Sequence, residues 1–191
     1  MDAHIISAIV VLFAIVIWVV LTAKRSAKSG KAKIYRVLDG DTAIVKQGLR
    51  KYTIRLDAID CPESDQIWGD TSTAGLIKLV GGKSVKLQVY GGDHYGRSLA
   101  TIYVWDEKKS DWLNVNERML LLGHAWLYRQ HLEHLPQEKK DEMSRMENWA
   151  RTKRVGLWRS ANPIPPWEWR QRNKSRRRRY RSSNVVRIRT R

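Results

Sequence analysis

Residues 37–63 read VLDGDTAIVKQGLRKYTIRLDAIDCPE and contain two short acidic turns, Asp-Gly-Asp-Thr at 39–42 and Asp-Cys-Pro-Glu at 60–63. Between the turns, apolar and polar residues alternate on both sides of a Gln-Gly pair at 47–48, which predicts a β-hairpin. If its strands pair, three carboxylates and Arg55 come close together. Carboxylates beside an arginine favour a hard metal ion and an anionic substrate.

The segments on either side of this stretch predict a small barrel with helices. Strand-like alternation predicts strands over 33–38, 43–46, 52–56, 84–90 and 99–105. Helical periodicity predicts helices over 68–80, 115–122 and 137–153. In the last helix, a stripe formed by Met143, Met146, Trp149 and Ala150 is expected to pack on the barrel. The fold class is therefore α+β, mainly β: a five-stranded OB-type barrel with three helices over residues 33–160.

The amino-terminal region predicts a membrane anchor. After a short flank at 1–4, residues 5–23 carry no charge, and about 28 Å of helix matches the hydrocarbon thickness of a bilayer. Lysines and an arginine follow in a basic linker at 24–32, so the positive-inside rule favours a cytoplasmic domain. A cleaved signal peptide is the alternative, but Asp2 replaces the positive charge expected before its apolar run. We expect a single-pass protein of a bacterial inner membrane.

The carboxyl-terminal region carries most of the net charge of +17. Eleven Lys or Arg and no acid lie in residues 170–191, which predicts a disordered tail that binds nucleic acid or anionic lipid. A solvated tail without a specific ligand remains the alternative. A Pro- and Trp-rich segment at 161–169 is expected to close the folded domain. Cys61 is the only cysteine, which excludes an intrachain disulfide.

The chain resembles the staphylococcal nuclease-like family from about residue 31 to 158. The resemblance rests on Val-Leu-Asp-Gly-Asp-Thr at 37–42, Arg-Leu-Asp-Ala-Ile-Asp-Cys-Pro-Glu at 55–63, Tyr-Gly-Arg-Ser-Leu-Ala at 95–100 and Val-Gly-Leu-Trp at 155–158. These segments occur in the family's order and spacing. The resemblance implies a five-stranded OB barrel with three helices, as the strand and helix patterns also predict.

The resemblance also implies a role for each matching residue. Asp41 and Asp60 would bind Ca²⁺, together with the backbone carbonyl of Cys61. Arg55 and Arg97 would grip the scissile phosphate, and Glu63 would activate water. Two guanidinium groups suit this task because each can bind two phosphoryl oxygens and stays charged at working pH.

The nucleotide contacts are less well matched. Tyr95 corresponds to a tyrosine that contacts the substrate nucleotide in the family. His94 stands where the best-known member has a lysine, and Tyr128 is the nearest equivalent of the family's paired tyrosines. His131 and His134 lack further zinc ligands and predict an exposed loop.

Some of these motif residues also have a purely structural interpretation. Asp39 and Asp41 are also common hairpin-turn residues, and Asp39 is assigned as one. Arg55 could form a surface ion pair with Asp57.

The expected function is calcium-dependent hydrolysis of DNA and RNA with little sequence specificity, giving 3′-phosphate products, by a monomeric enzyme. The alternative is a non-catalytic, membrane-tethered nucleic-acid-binding module.

Overall fold

The computed structural model describes residues 11–12 and 27–174. Within that part of the chain, no helix has the length and apolar character needed to cross a membrane. Except for its residues 11–12, which are helical, the predicted anchor at 5–23 lies outside the described residues. The tail after residue 174 also lies outside them.

The described residues contain eight strands. In chain order they are β1 (Gly30–Val37), β2 (Thr42–Gln47), β3 (Arg50–Leu56), β4 (Ile59–Asp60), β5 (Ser84–Gly92), β6 (Ser98–Asp106), β7 (Asp111–Asn114) and β8 (Trp126–Leu127). The order β3-β2-β1-β5-β6 is closed into a ring by the parallel pairing of β3 with β6. This confirms the predicted five-stranded OB-type barrel.

Three short strands were not predicted. β7 extends the sheet beside β6, whereas β4 and β8 pair with each other outside the barrel. The β4–β8 pair joins Asp60 to Trp126 and Ile59 to Leu127. It therefore fixes the second acidic turn against the segment that carries Tyr128.

The three predicted helices are confirmed as α1 (Gly69–Val80), α2 (Val115–Leu121) and α3 (Gln137–Thr152). Short 3₁₀ turns lie at Arg129–His131 and Gly156–Arg159. A further helix, α4, covers residues 166–174. The predicted boundary between closing segment and tail, at 169/170, falls inside α4. Residues 170–174 are thus helical, where the sequence predicted the start of a disordered tail.

The core follows the predicted alternation. In β3 and β5, every second side chain points inward, and Ile54, Leu56, Val85 and Leu87 are at most 2% exposed. The helices cover the barrel with Leu76 and Val80 from α1 and with Met119 and Leu120 from α2. These side chains contribute the hydrophobic stabilisation of the barrel, about 1.5–3 kcal/mol for each large one.

The predicted apolar stripe of α3 is only partly correct. Met143 and Ala150 are buried, and Met146 is partly buried against the core. Trp149, in contrast, is 47% exposed. The stripe is therefore narrower than predicted, because Trp149 lies at its solvent-facing edge.

A glycine allows the two acidic turns to touch. A side chain at Gly40 would place its Cβ 2.7 Å from the Cβ of Cys61 and 2.8 Å from that of Ser72, closer than real Cβ atoms approach other atoms. The first turn can therefore pack directly on the second turn and on α1 only because residue 40 has no side chain.

Candidate active site

The first acidic turn presents Asp41 toward the second. The backbone N–H of Asp41 donates to Asp39 Oδ1 at 3.0 Å, which makes Asp39 the turn residue that the sequence predicted. The hydroxyl of Thr42 donates to Asp41 Oδ1 at 2.8 Å, and the N–H of Cys61 donates to Asp41 Oδ2 at 3.3 Å. Asp41 is thus held by both turns.

Arg55 bridges the two turns. Its Nη2 lies 3.1 Å from Asp41 Oδ2 and 2.6 Å from Asp60 Oδ1, and its side chain is only 12% exposed. Burial opposes the charge of Arg55, but Asp41 and Asp60 outweigh it, so the pKa of Arg55 lies above its ordinary value. The alternative of a surface pair with Asp57 is wrong.

Asp57 has a different partner. Its Oδ2 lies 2.8 Å from His134 Nε2, and its side chain is 3% exposed. Burial raises the pKa of Asp57, although the bond to His134 opposes the rise. His134 is exposed in a loop, as predicted, but the sequence did not predict its contact with the buried Asp57.

Arg97 reaches the site from the loop between β5 and β6. Its Nε lies 2.8 Å from Asp93 Oδ2, and its Nη1 lies 3.4 Å from the hydroxyl of Thr42. Burial opposes ionisation of Asp93, but the bonds from Arg97 outweigh it and lower the pKa of Asp93. The parallel pairing of β3 with β6, which begins at Ser98, carries Arg97 to the turn at 39–42.

Glu63 and Asp60 share a partner that the sequence motifs did not include. Arg170 of α4 places Nη1 2.6 Å from Glu63 Oε1 and Nη2 2.7 Å from Asp60 Oδ2. The side chain of Asp60 is 1% exposed, and that of Glu63 is 37% exposed. Burial raises the pKa of Asp60, with the hydrogen bonds from Arg170 acting in the opposite direction.

The predicted nucleotide contacts surround these charged groups. Tyr95 is 73% exposed, and its ring lies 3.9 Å from that of His94, between ring centroids. The guanidinium carbon of Arg97 lies 5.3 Å from the centre of the Tyr95 ring. On the other side, the ring of Tyr128 lies 5.7 Å from the guanidinium carbon of Arg55.

One cleft of about 460 Å³ brings together all nine residues predicted as site residues. They are Asp41, Arg55, Asp60, Cys61, Glu63, His94, Tyr95, Arg97 and Tyr128. The structure therefore gathers every predicted residue, while the role of each stays a prediction.

Several residues that line the cleft were not predicted as site residues, and Arg170 and His131 are two of them. Arg170 was counted among the charges of the tail, and His131, which is exposed as predicted, was given no role in the site; both line the cleft. A signal for α4 was present in the sequence: Pro166 stands at the first helical position, where proline is favoured. That signal predicts a helix that includes residue 170.

The donor set of the cleft fits a calcium ion. The described part of the chain contains no group of three or more His, Cys, Asp or Glu side chains arranged to hold a metal. Asp41 and Asp60 nevertheless approach one cationic nitrogen, Arg55 Nη2, so they can share a cation. Two carboxylates and a backbone carbonyl are donors that Ca²⁺ accepts, with water and phosphate oxygens completing about six to eight ligands.

The side chain of Cys61 is not part of this donor set. It is 4% exposed and packs beside Gly40. Burial raises the pKa of its thiol well above the ordinary value, so the side chain stays neutral. Only its backbone carbonyl remains as the predicted ligand.

A closed OB-type barrel whose cleft combines arginines with acidic side chains suits a protein that acts on phosphate esters. Residues 53–160 match the family described as "Staphylococcal nuclease homologue". This chain belongs to the staphylococcal nuclease family and is a nuclease, a phosphodiester hydrolase. The match includes Arg55, Asp60, Glu63 and Arg97, begins after Asp41 and ends before Arg170.

Similar proteins occur in bacteria and plants. An "Uncharacterized endonuclease" of Escherichia coli O157:H7 is 39% identical over 140 residues, which cover 73% of this chain and 84% of that protein. "Protein ParB" of Escherichia coli is 36% identical over 150 residues, which cover 77% of this chain and 82% of that protein. "Staphylococcal-like nuclease CAN1" of Arabidopsis thaliana is 38% identical over 164 residues, covering 79% of this chain and 47% of the plant protein.

Proposed function

We propose that this nuclease is a calcium-dependent enzyme that cleaves phosphodiester bonds of DNA and RNA with little sequence specificity and leaves 3′-phosphate ends. One observation carries the proposal: the cleft places Arg55, Arg97 and Glu63 beside the paired carboxylates Asp41 and Asp60. In the alternative, a module that only binds nucleic acid, this combination of residues would have no use.

The arginines bind and stabilise the reacting phosphate. Arg97 is partly exposed and faces the cleft from the β5–β6 loop, so it meets the phosphoryl oxygens of an entering strand. Arg55 lies deeper, between the two turns, and contributes a second fixed positive charge. Negative charge grows on these oxygens during hydrolysis, so preorganised guanidinium groups stabilise the transition state more than the ground state.

Glu63 orients the attacking water and accepts its proton. It stands at the mouth of the cleft, partly exposed and next to the buried Asp60. A carboxylate within reach of the water can act as its general base. Asp41, Asp60 and the carbonyl of Cys61 would hold Ca²⁺, which supplies a Lewis acid for the phosphoryl oxygens.

Aromatic side chains bind the nucleotides on both sides of the phosphate. Tyr95 and His94 present exposed rings to the cleft, and Tyr128 also lines it, with its ring stacked on that of Trp167. Stacking on aromatic rings tolerates every base, which agrees with low sequence specificity.

The full chain can be assayed on supercoiled plasmid, single-stranded DNA and RNA, with calcium or with a chelator. We expect cleavage with calcium only, and product 3′ ends that a polymerase extends only after phosphatase treatment. Glu63→Ala should lower the rate about 10²- to 10⁴-fold, the usual contribution of a general base. Glu107→Ala is the matched control, because Glu107 is exposed in the turn between β6 and β7. Cleavage that the chelator does not affect, or that Glu63→Ala leaves undiminished, would refute the proposal.

We further propose that residues 5–23 anchor the nuclease in a bacterial inner membrane with its domain on the cytoplasmic side. The support is the uncharged run followed by a basic flank. Fractionation of cells that express the chain with and without residues 5–23 tests the anchor. Digestion by external protease in spheroplasts would refute the cytoplasmic side.

The basic tail is proposed to bind nucleic acid or anionic lipid. Its polycationic sequence supports this, because phosphate binding by Lys and Arg releases counterions. Deleting residues 175–191 should reduce the salt dependence of DNA binding if DNA is the partner. An unchanged salt dependence, together with weaker binding to anionic vesicles, would assign the tail to lipid.

A further inference from the structure

We propose that Arg170 is an intramolecular inhibitor, which holds the metal-binding and water-activating carboxylates of the cleft until calcium displaces it. The inference rests on the proposed function, since it takes Asp60 as a metal ligand and Glu63 as the general base. Arg170 lies outside residues 53–160, the segment that matches the family.

The contacts of Arg170 occupy the carboxylate that the metal needs. Its Nη2 lies 2.7 Å from Asp60 Oδ2, and its Nη1 lies 3.2 Å from Asp60 Oδ1. Arg55 takes the second oxygen as well, at 2.6 Å from Oδ1. Both oxygens of Asp60 are therefore bound by guanidinium groups, so a metal ion that binds Asp60 competes with these groups.

The same guanidinium holds Glu63. Nη1 of Arg170 lies 2.6 Å from Glu63 Oε1, a short charge-assisted bond. The carboxylate oxygen in this bond faces the arginine instead of a water molecule. One side chain thus restrains two of the groups that hydrolysis requires.

Helix α4 is fastened to the domain, which keeps Arg170 at the cleft. The Trp167 ring stacks on that of Tyr128 at 5.6 Å between centroids, and Trp169 Nε1 donates to Asp65 Oδ1 at 3.0 Å. Just before the helix, Gln66 Nε2 donates to the carbonyl of Ile164 at 2.5 Å. These contacts hold α4 on the loop that carries Glu63, so the guanidinium has a high local concentration there.

Arg170 can leave without opening the core. Its side chain is 43% exposed, whereas that of Arg55 is 12% exposed. A divalent cation that binds Asp60 gains more charge interaction than a monovalent guanidinium offers. The released Arg170 then remains beside the cleft on an anchored helix.

The test is calcium binding by the full chain, measured by calorimetry without substrate. Arg170→Ala should tighten the calcium Kd about 5- to 30-fold, the range expected when a partly exposed, bidentate ion pair no longer competes. The calcium Kd of Arg170→Lys should lie between those of the wild type and Arg170→Ala, because lysine keeps the charge but lacks the planar fork of the guanidinium group. Cleavage at calcium concentrations below the wild-type Kd should rise by a similar factor.

Arg172→Ala is the matched control. Arg172 lies two residues further along α4, is 60% exposed and pairs with Glu168 at 3.2 Å, away from the cleft. Its loss removes the same charge from the same helix and should leave the Kd unchanged. An equal change in both variants would show a general charge effect and overturn the proposal.

Three other outcomes would also overturn it. If Arg170→Ala binds calcium as the wild type does but cleaves more slowly, Arg170 contacts substrate and does not inhibit. If neither wild type nor variant binds calcium, both the inference and the proposed metal dependence fail. Equal calcium binding with normal calcium-dependent cleavage overturns the inference alone.

Discussion

Arg55 and Arg97, the two arginines proposed to bind the phosphate, should differ in what their loss does to stability, although we expect both losses to abolish most of the activity. Arg55 is nearly buried and satisfies Asp41 and Asp60, whose side chains are 10% and 1% exposed. Arg97 is 26% exposed and pairs with Asp93, four residues away in a loop. Replacing either arginine by alanine removes a group proposed to contact the phosphate, but only loss of Arg55 leaves buried carboxylates without their cation.

The structure sets the size of each effect. Removing one partner of a buried ion pair costs about 3–5 kcal/mol. Arg170 still binds Asp60 in Arg55→Ala, and the cleft admits water, so we expect a loss near the lower end, about 3 kcal/mol. The Arg97–Asp93 pair is partly exposed, so Arg97→Ala should cost at most about 1 kcal/mol. With a urea m-value of about 2 kcal/mol/M, the unfolding midpoint should fall by about 1.5 M in Arg55→Ala and by at most about 0.5 M in Arg97→Ala.

Urea unfolding in the presence of a chelator measures these losses, and cleavage of single-stranded DNA with calcium measures activity. Both variants should cleave at least about a hundredfold more slowly, as expected for loss of one oxyanion-binding group. Arg145→Ala is the control for loss of an exposed arginine, on α3. Equal destabilisation by Arg55→Ala and Arg97→Ala would refute the assignment of Arg55 as the buried cation that joins the two turns.

Two further predictions concern the supports of the cleft. Burial, with a contribution from Asp41, raises the pKa of Asp39 to about 6, so the folded state binds this proton more tightly than the unfolded chain and its stability falls as pH rises from about 4 to 6. Without calcium, Asp39→Asn should therefore raise the free energy of unfolding by about 1–2 kcal/mol at pH 7, a value reduced for the partial exposure of the side chain, and should have little effect at pH 4. Urea unfolding at both pH values measures this. An effect of the same size at both pH values would contradict the prediction. Glu147 is fully buried and accepts bonds from the Leu127 N–H at 2.9 Å and from Arg129 at 2.8 Å. Glu147→Ala should lower the free energy of unfolding by about 3 kcal/mol and weaken substrate binding, because the segment that carries Tyr128 loses its support. Glu138 is exposed, so Glu138→Ala should have neither effect. Thermal unfolding and KM values measure the two effects.

The barrel was predictable because its five strands are long enough to show alternation. Each of them was placed within a few residues, from the same inward-facing side chains that now fill the core. β4 and β8 have two residues each and carry no periodicity, so only the tertiary fold defines them. Trp149 was misplaced because helical spacing predicts a face but not how wide the buried part of that face is.

The site was predictable where its residues lie within motifs, and not where a contact spans the chain. All nine predicted residues line one cleft, since the motifs fall on turns that the barrel brings together. The bond between Arg170 and Glu63 joins residues 107 positions apart. Residue 170 also opens a run of like charges, and such a run normally indicates a solvated segment. The basic composition of the segment therefore gave no sign that Arg170 lies at the cleft.

Asp60 is bound by two arginines that differ in how freely they can move. Arg55 is fixed by β3, lies between both acidic turns and cannot leave without the loss of stability worked out above. Arg170 comes from α4, the last helix in the described part of the chain, and its side chain is 43% exposed. The Arg170→Ala chain should therefore lose only about 1–2 kcal/mol of stability without calcium, the free energy that corresponds to a 5- to 30-fold change in the calcium Kd. A loss near 3 kcal/mol would mean that Arg170 is a structural counter-ion like Arg55, because a displaceable inhibitor must be able to leave a stable site.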